Sequence, residues 1–141
     1  MVQTPLQKFV ETYQQLGKYN LHSLREVYHP DVEFIDNLHH LHGINQLIQY
    51  FEGQYSNLNS CSFDIRRANQ TGDDAWLIWD MRFAHPRLRG GKLITVNGAS
   101  HLRLTDSVTY HRDYFDMGAT LYEHLPIIGS AITWIKQRAA R

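Results

Sequence analysis

The spacing of apolar residues changes near Cys61, and that change constrains the fold more than any other feature of the chain. Upstream, apolar side chains recur every three or four positions; downstream, they alternate. Thr4 is placed to cap a first helix with Pro5 in its first turn, and Leu6, Phe9, Val10, Tyr13 and Leu16 share a face before Gly17 ends it. Asn20 opens a short second helix carrying Leu21, Leu24, Val27 and Tyr28, which ends before Pro30. Residues 32–36 read as a short strand and 37–42 as a loop, and Ile44, Leu47, Ile48, Phe51 and Tyr55 mark a third helix after Gly43.

From residue 61 onward strands are expected over 61–69, 75–85, 93–104 and 108–117, with turns at Thr71-Gly72-Asp73-Asp74, Gly90-Gly91-Lys92 and Thr105-Asp106-Ser107. Ile127, Ile128, Ala131, Ile132, Trp134 and Ile135 then predict a C-terminal helix, with Lys136, Arg138 and Arg141 suited to its negative end. Helices followed by a meander predict an α+β domain spanning 1–141, its N-terminal helices packed on one face of an antiparallel sheet.

Charge narrows the function classes. Lys plus Arg and Asp plus Glu number 14 each, so the basic excess expected of a nucleic-acid binder is absent. No apolar run approaches the ~18 residues of a membrane span, and residues 1–13 lack a signal-peptide pattern. A single cysteine, Cys61, rules out an intrachain disulfide and fits a cytoplasmic protein.

Alternation assigns faces within the strands. Ile94, Val96, Gly98, Ser100, Leu102 and Leu104 are expected to face the helices, while Thr95, Asn97, Ala99, His101 and Arg103 face solvent or a partner subunit. The same argument groups Trp76, Ile78, Asp80 and Arg82 on one strand, and His111, Asp113 and Phe115 on the last. Both groups are expected on the pocket side. Aspartate is a poor strand former and costly to bury, so acids among aromatic strand residues point to water or to a lined cavity.

Two segments carry a family resemblance. His29-Pro30-Asp31-Val32-Glu33-Phe34-Ile35-Asp36 and Tyr110-His111-Arg112-Asp113-Tyr114-Phe115-Asp116, together with the order of elements, resemble the nuclear transport factor 2-like superfamily. That superfamily includes SnoaL-like cyclases, ketosteroid isomerases and limonene epoxide hydrolases. The resemblance implies a cone-shaped pocket between curved sheet and helices, a small-molecule ligand, and a homodimer joined through the outer sheet faces.

The resemblance also implies site residues. Matched to the isomerases, Asp36 falls at the general base, Tyr13 near the oxyanion donor, and Ser100 where a protonated aspartate would be the second donor. Matched to the hydrolases, Asp80 and Asp113 fall at two pocket acids, and Phe34 and Asp36 replace a water-holding tyrosine and asparagine. Ile78 stands where the hydrolase arginine belongs, and Arg82 is the available substitute. Trp76 and His111 complete the expected ligand contacts.

Each acid also has a plainer role open to it. Asp36 can cap a turn through its side chain, and Asp80 or Asp113 can pair with Arg82. Two carboxylates in one apolar cavity cannot both ionise cheaply, so one of Asp80 and Asp113 is expected to titrate above the usual ~3.9.

The nine histidines invite a metal reading. His39-His40-Leu41-His42, read as a loop at the pocket mouth, does not bring ligands to one point, and no helical His-x-x-x-His pair is present. The expected chemistry is therefore acid–base work by aspartate without metal or organic cofactor. The reactions considered are isomerisation, cyclisation and hydrolysis, and the competing class is a non-catalytic ligand-binding or dimerisation module.

Overall fold

The computed structural model describes residues 2–115. The predicted C-terminal helix, Trp134 and the basic tail lie outside the described residues. Helix α1 spans Pro5–Gln15, its start closed by a capping box in which Thr4 Oγ1 accepts from the Gln7 amide and the Gln7 side chain accepts from the Thr4 amide. A 3₁₀ turn over Leu21–Glu26 replaces the second helix. Strands β1 (Tyr28–Ile35) and β2 (His40–His42) form a hairpin, and α2 spans Ile44–Ser56. Strands β3 (Ser60–Thr71), β4 (Asp74–Ala84), β5 (Ile94–Leu104) and β6 (Val108–Phe115) complete the sheet.

The six strands order as β2-β1-β6-β5-β4-β3 in one curved, unclosed sheet. The α+β class is as expected, but the sheet is not wholly antiparallel: β1 runs parallel to β6. The three hairpin reversals of β3 to β6 bring the last strand alongside β1 in the same direction. Two local differences follow from pairing. Strand β1 begins at Tyr28 rather than near Val32, because Tyr28 already pairs with Val108 of β6; the ladder is then interrupted between Tyr28 and Glu33, a stretch that holds Pro30, which has no amide hydrogen to donate. Strand β2 forms inside the expected loop because Asp36 closes a tight turn, accepting at Oδ1 from the Leu38 and His39 amides.

The core lies between the helices and one sheet face. Leu6, Phe9 and Tyr13 from α1, Leu47 and Phe51 from α2, and Phe34, Leu77, Trp79, Val96 and Leu102 from the strands are all buried there. On β5 the burial pattern matches the expected faces, with Ile94, Val96, Ser100, Leu102 and Leu104 buried. Among the described residues no helix is long and apolar enough to cross a membrane.

Candidate active site

Alternation on β6 turns His111 and Asp113 to the core side. The ladder then sets their neighbours: Ser100 of β5 is the cross-strand partner of Asp113, and Leu77 of β4 is the partner of Ser100. One layer further, Trp79 lies opposite Gly98. With Phe9 and Tyr13 from α1 and Phe63 and Ile65 from β3, these side chains line a recess of about 250 Å³ including its open mouth. It is narrow, with room inside for about one water.

A continuous chain of hydrogen bonds runs along the wall of this recess. Trp79 Nε1 donates to Ser100 Oγ at 2.8 Å, and Ser100 Oγ donates to Asp113 Oδ1 at 2.5 Å. His111 Nε2 stands 2.5 Å from the same Oδ1. On the other side of the ring, His111 Nδ1 is 2.6 Å from Tyr28 Oη, which is 2.5 Å from Tyr13 Oη. Among the described residues no donor bonds Asp113 Oδ2.

The donor inventory orients this chain. Indole N–H has only a hydrogen to give, so Ser100 accepts from Trp79 and spends its own hydrogen on Asp113. Where the Asp113 carboxylate is ionised it only accepts, so His111 Nε2 then carries the hydrogen, and a ring with no second hydrogen presents Nδ1 as an acceptor for Tyr28. Tyr28 then accepts from Tyr13. Adding a proton at Nδ1 reverses the tyrosine half: His111 donates to Tyr28, Tyr28 to Tyr13, and the Tyr13 hydrogen is freed from Tyr28. A proton gained at His111 thus becomes a hydrogen-bond donor at Tyr13.

The surroundings favour neutral phenols. Burial pushes the Tyr13 and Tyr28 hydroxyls well above their ordinary value of 10.0, with the Asp113 charge adding to the effect on both. The His111 ring lies against Phe34 with centroids 4.8 Å apart, against Phe9 at 5.8 Å, and stacks on Tyr28 at 5.9 Å. Aromatic packing holds the ring in place while both nitrogens remain hydrogen-bonded.

Four of the expected site residues therefore converge: Tyr13, Ser100, His111 and Asp113. The others do not line the recess. Asp36 caps its turn as described, lies 3.2 Å from His39 Nδ1, and accepts from Tyr50 Oη at Oδ2. Phe34 is a core residue, 1% exposed. Trp76, Asp80 and Arg82 correct the face expected for β4, since they stand on the opposite side of the sheet. Trp76 is 53% exposed and stacks on His101 at 4.4 Å, while Asp80 bonds Asn97 Nδ2 and pairs with Arg66 and Arg82. Strand β4 is apolar in both parities, Trp76 and Ile78 on one side and Leu77 and Trp79 on the other, so alternation alone could not choose between them.

Among the described residues Asp113 is the one carboxylate lining the recess, and Asp80 stands across the sheet from it, so the like-charge argument for this pair does not apply. Sequence reading missed Tyr28 and Trp79. Tyr28 carries no local signal, because its role depends on the parallel pairing of β1 and β6. Trp79 did leave one: a side chain at Gly98 on the buried face would overlap its ring, and a glycine inside a strand marks such a close approach.

A family model for the SnoaL-like domain matches residues 6–110. No curated protein matches the chain. Among solved structures, a protein from Shewanella putrefaciens CN-32 assigned to the SnoaL-like polyketide cyclases shares 23% identity at a TM-score of 0.71, the match covering 90% of this chain and 98% of that one. Another so assigned, from Jannaschia sp. CCS1, shares 16% at 0.71, covering 83% and 88%. A protein from Catenulispora acidiphila DSM 44928 with a ketosteroid isomerase-like fold, bound to trimethylamine, shares 14% at 0.72, covering 86% and 92%.

Proposed function

The chain belongs to the SnoaL-like domain family, and from that premise we propose that it is a cofactor-independent enzyme moving a proton on an apolar, oxygen-bearing ring, as an isomerase or cyclase does. Asp113 is the base. Its Oδ1 is held by Ser100 and His111, which leaves Oδ2 to take a proton from a carbon next to a carbonyl. With a proton at His111 Nδ1, the Tyr13 hydrogen is freed from Tyr28 and Tyr13 is the donor to the oxygen that gains charge. Phe9, Phe63, Ile65, Leu77 and Trp79 supply the apolar wall.

The observation that carries this reading is the placement of Asp113 between two donors in the same recess as Tyr13. The separation of Asp80 from Asp113 by the sheet disfavours a hydrolase built on that acid pair. The competing reading, a non-catalytic binding module, is favoured by the narrowness of the recess.

Binding of a naphthol, which mimics an enol, tests the proposed polarity of the site. Tyr13→Phe is expected to weaken it about tenfold, the loss of one good hydrogen bond; equal binding by the two proteins would remove Tyr13 from the proposal. A cytoplasmic homodimer belongs to the same reading. Trp76, Ile78 and Tyr114 are exposed on the outer sheet face, and Ile78→Lys is expected to convert a dimer to a monomer in light scattering. A monomeric wild-type chain would contradict that part.

A further inference from the structure

Strand β2 changes what the histidine run can do. In a loop, adjacent histidines diverge; in a strand, alternate residues share a face. His40 and His42 therefore point the same way, and the register of the hairpin places Glu33 of β1 directly opposite His42. His40 Nε2 lies 2.9 Å from Glu33 Oε2, and His42 Nε2 lies 3.8 Å from the same oxygen. One ligand atom from each of the three side chains lies within 4.8 Å of the other two.

We propose that Glu33, His40 and His42 form a surface site for a divalent first-row transition ion of the zinc type. Metal–ligand bonds of about 2.0–2.1 Å put the donors of a tetrahedral site roughly 3.3 Å apart, so small side-chain rotations close the observed spacings onto one ion. Two imidazoles and a carboxylate suit zinc, cobalt, nickel or copper rather than magnesium or calcium, which prefer all-oxygen sites. Water fills the remaining position.

The backbone beneath the site is held from several directions. Asp36 closes the hairpin turn, the Gly43 amide donates to the Val32 carbonyl at 2.7 Å, and Gln46 Oε1 accepts from the His42 amide at 3.0 Å. Phe34 and Leu41, the cross-strand pair between the ligands, face the other side. The site is thus separate from the recess at Asp113, and its existence does not depend on the proposed reaction. Both histidines are more than half exposed, which keeps the ligands mobile and the affinity moderate. The earlier expectation of no metal rested on reading 37–42 as a loop.

Calorimetric titration of the full chain, stripped of metal by a chelator, with zinc chloride at neutral pH tests the proposal. One ion is expected per chain, and His40→Ala, His42→Ala and Glu33→Gln are each expected to weaken binding about tenfold or more. His22→Ala, at an exposed histidine on the 3₁₀ turn, is expected to leave it unchanged. The imidazole nitrogen resonances of His40 and His42 are expected to move together with zinc and to stay still with magnesium. Absence of binding, binding that survives His40→Ala, or an equal loss in His22→Ala overturns the site.

Discussion

His111 and Asp113 stand two residues apart on one strand and bring Nε2 and Oδ1 to 2.5 Å. The pair is a consequence of strand geometry, because residues i and i+2 share a face. Everything else in the candidate site is arranged around it: Ser100 and Trp79 on the carboxylate side, Tyr28 and Tyr13 on the ring side.

Tyr28 joins the two halves of α1 and β6 through a single hydroxyl. Tyr28→Phe keeps the ring but leaves Tyr13 Oη and His111 Nδ1 without their buried partner. Urea unfolding is expected to show a loss of about 1–3 kcal/mol, the usual cost of unsatisfied buried polar groups. A change below about 0.5 kcal/mol would mean that the hydroxyl chain contributes little to the fold.

Gly98 makes room for the Trp79 indole across the β4–β5 ladder. Gly98→Ala forces the ring to move, and with it the bond from Nε1 to Ser100. Destabilisation of about 1–3 kcal/mol is expected, together with a change in tryptophan emission. Unaltered emission and stability would show that the ring has space to shift.

These two residues also show how far the sequence could be read. The helix-to-strand order, the helix cap at Thr4 and the buried face of β5 were legible, because each depends on short-range spacing. His111 and Asp113 were legible for the same reason. The face of β4 was not, since Trp76 and Ile78 are as apolar as Leu77 and Trp79. The cross-strand pair Asp80 and Asn97, once the register is known, settles it: Asn97 was already assigned outward. Tyr28 depends on the parallel pairing of β1 with β6, which no local pattern announces, while the hairpin that makes β2 left only the turn signal at Asp36.

High pH should unfold the protein through its buried phenols. Burial raises Tyr13, Tyr28, Tyr50 and Tyr55 above 10.0, and it also pushes the Cys61 thiol from 9.0 up to about 11. The unfolded chain gives up these protons first, so above pH 10 the native state holds more protons than the unfolded state. The stabilisation from these tyrosines is complete below pH 10 and declines above it, by up to about 1.4 kcal/mol per pH unit for each group. Urea midpoints that stay level between pH 9 and 11 would contradict the burial of these hydroxyls.

The central claim is that Asp113 transfers protons on a carbonyl compound, and deuterium exchange measures that most directly. A panel of cyclic ketones incubated with the protein in D₂O, followed by proton NMR, reports the removal of α-hydrogens without the natural substrate being known. The account predicts that the wild-type chain accelerates exchange of at least one ketone, that Asp113→Asn loses about 10²-fold or more of that acceleration, and that Tyr13→Phe loses part of it. Exchange that is undiminished in Asp113→Asn, or no acceleration by the wild-type chain for any ketone, would contradict it and leave the recess as a binding site.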